Sequence, residues 1–397
     1  MTSGGAPDSA SDRLYDLGFF TVEAFAALEV TAVIVANARI TAGLGLPERL
    51  SSLVLNSYLV PLFSVMLLVL ALSGWIRRTF APTPFFLAGL ALFSAGNVAC
   101  FLSHSPTAFF TGRAVMGVGG ALAFAGQLWT LSDLHRARIT RPLVWGEVGA
   151  ALGVVAGPMV GAFFAQVSPE GWRSFFLLNA GLAAATIVLA GLGLRHRTSA
   201  AVGAAAEAEP REGRRTAAAM TAWQVVVSIL VVGAEYLFSD WAQAKAGKSP
   251  AFVGTLTALA SAGAILGSLW AVRLGSRLAR VPPWTAAGLF ASLLGLAASL
   301  SAGAFAWASV PIFASGVCMG LASVSIYASI VESSAPRRFL PRSMVYLIGM
   351  QAGNALGIGA VGLAENLDAT VFGTAALLAV VPALVSAGIL STRPRPA

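Results

Sequence analysis

Charge is what this sequence has least of. Only 11% of its 397 residues are Asp, Glu, Lys or Arg, against about a quarter in a soluble globular domain. Charge so sparse cannot coat a water-facing surface, which excludes an ordinary soluble protein. Cysteine is scarcer still. Cys100 and Cys318 sit far apart inside apolar runs, giving neither a disulfide framework nor a metal-ligand spacing. The three histidines, His104, His135 and His196, fall between apolar runs and suggest no metal centre. There is no G-x-x-x-x-G-K-S/T phosphate loop and no stretch long and polar enough for a soluble domain, which excludes ATP hydrolysis by this chain. No catalytic constellation is visible, so the expectation is not an enzyme, with no cofactor and no metal. The apolar runs do not alternate polar and apolar over about ten residues, as strands of a membrane barrel would. The opening MTSGGAPDSASDRLYD sets Asp8, Asp12 and Asp16 against one Arg, unlike the basic start of a cleaved signal peptide.

What is present is apolar length: 57% of the residues are hydrophobic and the mean hydropathy is +0.79. A membrane-spanning helix needs about 20 mostly apolar residues. By that ruler the sequence predicts spans over 17–42, 52–75, 83–103, 107–131, 142–166 and 173–194. A second set falls over 218–240, 249–272, 283–301, 305–330, 340–364 and 369–391. Between the sets, HRTSAAVGAAAEAEPREGRRTA reads as a flexible linker. The expectation is an all-α integral membrane protein with two six-helix halves. Residues 1–16 form a cytoplasmic start, 17–195 the first half, 196–217 a cytoplasmic linker, 218–392 the second half and 393–397 a cytoplasmic tail.

The basic residues test this topology. Nineteen of the 25 lysines and arginines fall in the segments that share a side with the N-terminus, five fall on the opposite side, and Arg113 lies within a span. The positive-inside rule then places both termini in the cytoplasm, in a multi-pass protein of the cytoplasmic (inner) membrane. The net charge of +8 reflects that topology. It implies anionic membrane lipid as a partner and not nucleic acid. Six spans, a linker and six spans is the plan of many secondary transporters, whose substrate site lies between the repeats near the membrane midplane.

A charged side chain at a span centre costs roughly 2.5–3.5 kcal/mol or more, so such residues are functional candidates by default. Glu23 and Glu29 in the first span, Arg113 in the fourth and Glu235 in the seventh are of this kind. Arg113 stays protonated and can pair a carboxylate or contact substrate. Tyr58, Asn97, Gln127, Tyr236, Tyr327, Gln351 and Asn354 also lie within spans and are candidates to line a substrate cavity, with interhelical hydrogen bonds as the alternative.

The fifth span, GAALGVVAGPMVGAFFA, carries Gly149, Gly153, Gly157 and Gly161 at a spacing of four, with Pro158 among them. Residues four apart form one slanted stripe, and in lipid such small-residue stripes let two helix backbones touch. Pro158 frees a carbonyl and bends the helix, and a membrane neighbour can re-satisfy it.

The combination of Gly153, Gly157-Pro158 and Gly161 resembles the fifth-helix antiporter motif of drug:proton exporters in the major facilitator superfamily. LEVTAVIVANARI in the first span is similar to the acid-x-Thr start of one exporter branch. GRAVMGVGGAL, with Arg113, Gly117 and Gly119, looks like the family's fourth-helix motif. NSYLVPL in the second span and GWRSFFLLN at the start of the sixth follow in order. The second half resembles the family chiefly in hydropathy. Departures from the pattern are Ile34 and Ala38 in place of Asn and Pro, and Ser73 in place of an Asp ahead of Arg77 and Arg78. Glu147 is the candidate to supply that carboxylate. The resemblance implies a twelve-helix major facilitator bundle, a monomer that exports a small organic molecule in exchange for protons. It implies Glu29 as proton carrier, modulated by Arg113, with Glu23 and Glu235 as further candidates. It implies gating by Gly153, Gly157, Pro158, Gly161, Arg77, Arg78 and Glu147. Two alternatives stay open: a dedicated exporter of a self-made metabolite such as a siderophore, and an uptake porter or facilitator without proton coupling.

Overall fold

The computed structural model describes residues 10–132, 136–194, 211–274, 281–332 and 339–366. The described residues form helices and connecting turns, without a strand. In chain order the helices are α1 (Ala10–Gly43), α2 (Leu53–Ala71), the short α3 (Ser73–Thr79), α4 (Pro82–Leu102), α5 (Pro106–Ser132) and α6 (Arg136–Val167). They continue with α7 (Gly171–Leu194), α8 (Arg211–Asp240), α9 (Pro250–Leu274), α10 (Val281–Ser301), α11 (Ser309–Glu332) and α12 (Phe339–Asn366). Ten of them are long and apolar enough to cross a membrane, and α10 adds the shorter apolar stretch Ala287–Ser301.

These helices match the first eleven expected spans. The twelfth, 369–391, and the tail lie outside the described residues. So does 196–210, most of the expected linker. Residues 211–217 differ from expectation: they are the opening turns of α8, because Arg, Glu and Ala are strong helix formers and nothing in REGRRTAAAM stops the helix after it starts.

Spans joined by the described turns at 44–52, 103–105, 168–170, 246–249 and 302–308 run antiparallel. We call the end where α1 begins the near end and the opposite one the far end. At the far end, Gly45 after α1 and Gly247 after α8 hold φ of +64° and +60°, the left-handed conformation glycine adopts at little cost. Leu46 N–H returns to the Thr41 carbonyl at 2.9 Å, the wrap that closes a helix C-terminus.

Packing sorts the helices into two groups. In one, α1 packs on α6 and α7, and α5 on α2 and α4. In the other, α8 packs on α12 and α11, and α11 on α9 and α10. The groups meet through α6 with α9, α2 with α12, and α1 with α8. Leu68, Trp75, Phe163, Val167, Leu266, Trp270, Val310 and Leu363 are more than half exposed, an apolar girdle that suits lipid and not water.

Glycine decides the closest pairings. A methyl group added at Gly149, Gly153, Gly157 or Gly161 of α6 would collide with Phe20, Ala24, Thr31 and Ala32 of α1 respectively. The same device recurs in the second group: Gly349, Gly353 and Gly357 of α12 lie against Thr221, Val225 and Ile229 of α8. This second stripe went unread in the sequence, where no Pro marked it.

Candidate functional site

Four elements converge at the centre of the first group. Glu29 lies at the middle of the span Asp16–Gly43. Its Oε1 accepts an ion-paired hydrogen bond from Arg113 Nη1, and both side chains are fully buried. Asn179 Nδ2 of α7 donates to Glu29 Oε2 at 2.6 Å. Arg113 Nε donates to the Val54 carbonyl of α2 at 3.1 Å. The guanidinium also lies 4.9 Å from the Tyr58 ring centroid and 5.7 Å from that of Phe176. Two opposite charges, an amide, a carbonyl and two ring faces thus compensate one another away from water.

The local sequence explains this convergence. On α5, Gly117 meets the Tyr58 carbonyl of α2, and Gly119 meets the Phe93 backbone of α4. These contacts at backbone distance draw Arg113, one turn earlier, into the space between α1, α2 and α7. On α7, Trp172, Phe175 and Phe176 are buried, with Trp172 and Phe176 edge-on to Phe109 at 5.7 and 5.5 Å. Asn179 follows Phe176 by three residues and so shares its inward face. Asn179 was not among the expected site residues. It is the final letter of GWRSFFLLN, a polar residue in an apolar span, which is the signal that marks it.

Glu23 is half-buried two turns nearer the near end, where its Oε1 accepts from Gln127 Nε2 at 2.9 Å. A small apolar hollow lies alongside, lined by Val22, Phe25, Ala26, Tyr58, Phe93, Gly120, Ala123 and Phe124. Asn97 is buried and turned back onto its own helix, donating to the Phe93 carbonyl at 3.0 Å. Gln351 and Asn354 are buried and bonded to each other at 3.2 Å. The side chains of Tyr327 and Glu147 lie outside the described residues. Arg77 stacks over Trp129 at 5.8 Å, and Arg78 Nε caps the Gly74 carbonyl at 2.9 Å.

Tyr236 joins the two groups. Its hydroxyl accepts from Asn37 Nδ2 at 3.2 Å and shares a hydrogen with Ser51 Oγ at 2.7 Å. Beyond it, Ser239 Oγ donates to the Ile34 carbonyl and Gln243 Nε2 to the Val35 carbonyl, each at 2.9 Å. Gly362 sits against Ser52, and Gly254 against the Pro158 carbonyl and Ala162. Ser261 Oγ donates to the Val154 carbonyl at 2.8 Å. These contacts between the groups run from mid-span to the far end, so the far end is closed. Asn37, Ser51, Ser239 and Gln243 were also unread as site residues.

Glu235 contrasts with Glu29. It is half-buried, and no hydrogen bond or ion pair satisfies its carboxylate among the described residues. No group of three or more His, Cys, Asp or Glu able to hold a metal occurs among them either.

Apolar helices long enough to cross a membrane, in two packed groups around a buried ion pair, define a multi-helix membrane protein. Residues 19–241 match the model of the Major Facilitator Superfamily, more than half of the chain, and the chain belongs to that family. It is 28% identical over 177 residues to the methylenomycin A resistance protein of Bacillus subtilis, covering 44% of this chain and 36% of that protein. It is 26% identical over 176 residues to a putative multidrug resistance protein, MdtD, of Salmonella paratyphi B, covering 44% and 35%. The matches thus span about a third of these relatives' length. Among solved structures, a POT family transporter in complex with a thioalcohol-conjugated peptide superposes with a TM-score of 0.74 at 14% identity, over 96% of this chain and 95% of that one. A bacterial homolog of the human lysosomal transporter Spinster, inward-facing and unoccupied, gives 0.71 at 15% identity, over 98% and 100%. Both likenesses concern the fold.

Proposed function

We propose that the protein exports a small organic molecule across the cytoplasmic membrane, driven by protons moving inward through Glu29. The resistance proteins among its relatives support the direction. The observation that carries the coupling is the buried Glu29–Arg113 pair with Asn179. In this far-end-closed arrangement the carboxylate is paired with a cation and an amide donor. Arg113 Nη2 is buried without a partner, so a proton on Glu29 would leave the guanidinium still shorter of acceptors. Proton binding therefore demands that Arg113 rearrange against Val54 and Tyr58, which ties the proton to the packing of α1, α2, α5 and α7. The far end faces outward in this reading, with both termini cytoplasmic.

Transport by purified protein in vesicles under an imposed pH gradient tests the coupling. Glu29→Gln holds the neutral form and is expected to abolish uphill accumulation. Accumulation against the gradient by that variant would move the proton elsewhere. Sidedness is checked separately in intact cells with a cysteine-free background: an impermeant thiol reagent should label Ser168→Cys at the far end and spare Thr79→Cys at the near end.

A further inference from the structure

We propose that Pro158 and Ser261 work as one latch between the two groups: the proline frees the Val154 carbonyl, and the closed seam supplies that carbonyl with its donor. The latch requires that the groups part at the far end, the gate. Neither the cargo nor the driving ion enters into it.

Glycines at a spacing of four bring α6 onto α1. A proline adds nothing to that contact, and it is the residue a helix interior tolerates least. The second stripe packs as closely without one. Gly353 meets the Val225 carbonyl of α8 as Gly157 meets the Leu28 carbonyl of α1, a register that puts Val226 at the level of Glu29. No proline lies between Gly349 and Gly357.

The next row of α6 gives the proline its use. Val154, Pro158 and Ala162 are also four apart, one residue beyond the glycines, and this row meets α9 instead of α1. Gly254 of α9 lies so near the Pro158 carbonyl and the Ala162 methyl that an added methyl group would collide with both. Ser261 follows Gly254 by seven residues, two turns along the same face. It is buried, and its Oγ donates to the Val154 carbonyl at 2.8 Å. The Thr257 carbonyl of its own helix is the more distant acceptor, at 3.4 Å, so the single hydroxyl hydrogen goes across the seam.

Val154 is the fourth residue before Pro158. Its carbonyl is the one that an N–H at position 158 would have bonded, and proline has none. Helix α6 therefore cannot satisfy this acceptor in the usual way. A buried acceptor left without a donor bears its full desolvation penalty, whereas exchanging one hydrogen bond for another changes little. The proline thus makes an ordinary hydroxyl contact into a strong closing one. With α6 and α9 together the carbonyl is bonded; with them apart it is bare or must draw in water. Ser261 stands at the middle of the span Pro250–Ala271, at the inner end of the contacts that close the gate. It is a positioning residue, acting on the transport cycle through α6.

The test is a pairwise cycle of variants, read as the labelling rate of Ser239→Cys by a charged thiol reagent. It uses detergent-purified protein without other cysteines. Ser239 is buried in the closed seam, so its rate follows the open population with no cargo and no gradient present. Beside Pro158, Ser261→Ala should raise the rate about fivefold, the factor that one net hydrogen bond supplies. Ser261→Thr keeps the hydroxyl and should stay within about twofold of the parent. Once Pro158→Ala returns an N–H to the Val154 carbonyl, adding Ser261→Ala should change the rate by less than about twofold, the mark of two residues that act together. Equal increases in the two backgrounds overturn the proposal, as does no increase beside Pro158. If Ser261→Ala does not survive purification, rescue of its yield by Pro158→Ala supports the latch, and absence of rescue overturns it. A failure of the export reading appears only in the vesicle transport assay and leaves this cycle intact.

Discussion

The two groups of helices share a scaffold and differ in their charge. In each, a helix with glycines every fourth residue lies backbone to backbone on the helix that opens the group: α6 on α1, and α12 on α8. In each, the opening helix ends at the far end in a glycine with positive φ, Gly45 and Gly247. The interiors part company. The first group buries a carboxylate and a guanidinium and satisfies both from within. The second puts Val226 at the corresponding level and carries its carboxylate nearer the gate, half-buried and unpaired among the described residues. Close packing follows from small residues, so it can be repeated wherever glycines recur. Charge compensation needs particular partners on several helices, and only the first group has them. In the export reading the first group is the one whose charge state can be switched in a dry interior.

The largest effect should come from breaking the compensation. Arg113→Ala strands Glu29 in a buried site, and removing one partner of a buried pair costs about 3–5 kcal/mol. A large fall in the thermal midpoint of the detergent-solubilised protein is expected. Removing both charges, with Glu29→Gln and Arg113→Leu together, should recover most of that fall while leaving export dead. A double variant as unstable as the single one would mean that the pair is held for its packing and not for mutual neutralisation.

Next in size are the stripes. Gly157→Leu and Gly353→Leu each force bulk between touching backbones, at about 1–3 kcal/mol for overpacking. Both proteins should reach the membrane, and both should lose transport in a vesicle assay. Loss at Gly157 with normal transport at Gly353 would show that the repeated scaffold is not used alike in the two groups. Pro158→Ala should be milder than Gly157→Leu, since it adds no bulk.

Tyr236→Phe removes only the hydroxyl shared by Asn37 and Ser51, worth about 1 kcal/mol per bond. The far end should open more often, raising the labelling rate of a cysteine at Ser239 by an impermeant reagent roughly fivefold for each kcal/mol, as the open population grows. An unchanged rate would place the closing energy in the glycine contacts instead. The smallest stability effect belongs to Glu235→Gln. It breaks no bond and removes an uncompensated carboxylate from a span, so its thermal midpoint should hold or rise, in contrast to Arg113→Ala. A fall would reveal a structural partner.

The fold was largely legible before any coordinates. Apolar length fixed the spans, because lipid forces every backbone polar group into a helix. Glu29 and Arg113 stood out because charge in a span is rare, and Gly157-Pro158 because small residues and proline in register are unusual. The second glycine stripe was as regular and was passed over, since no motif drew attention to it. Asn179 was hidden for another reason: amides occur in many spans, and nothing in sequence says which carboxylate one faces.

What the sequence determined by itself, then, is which segments cross the membrane, which of them carry charge and where backbones can touch, since each depends on residue types at fixed spacing along one helix. The tertiary structure alone decided that Glu29 is paired and that Glu235, among the described residues, is not, that Gln127 serves Glu23, and that Tyr236 fastens two groups together instead of simply lining a cavity. Those outcomes turn on how far each helix is rotated and how closely it approaches its neighbours. A rotation of one residue, about 100° at 3.6 residues per turn, would exchange a buried partner for an exposed one without changing a letter of the sequence.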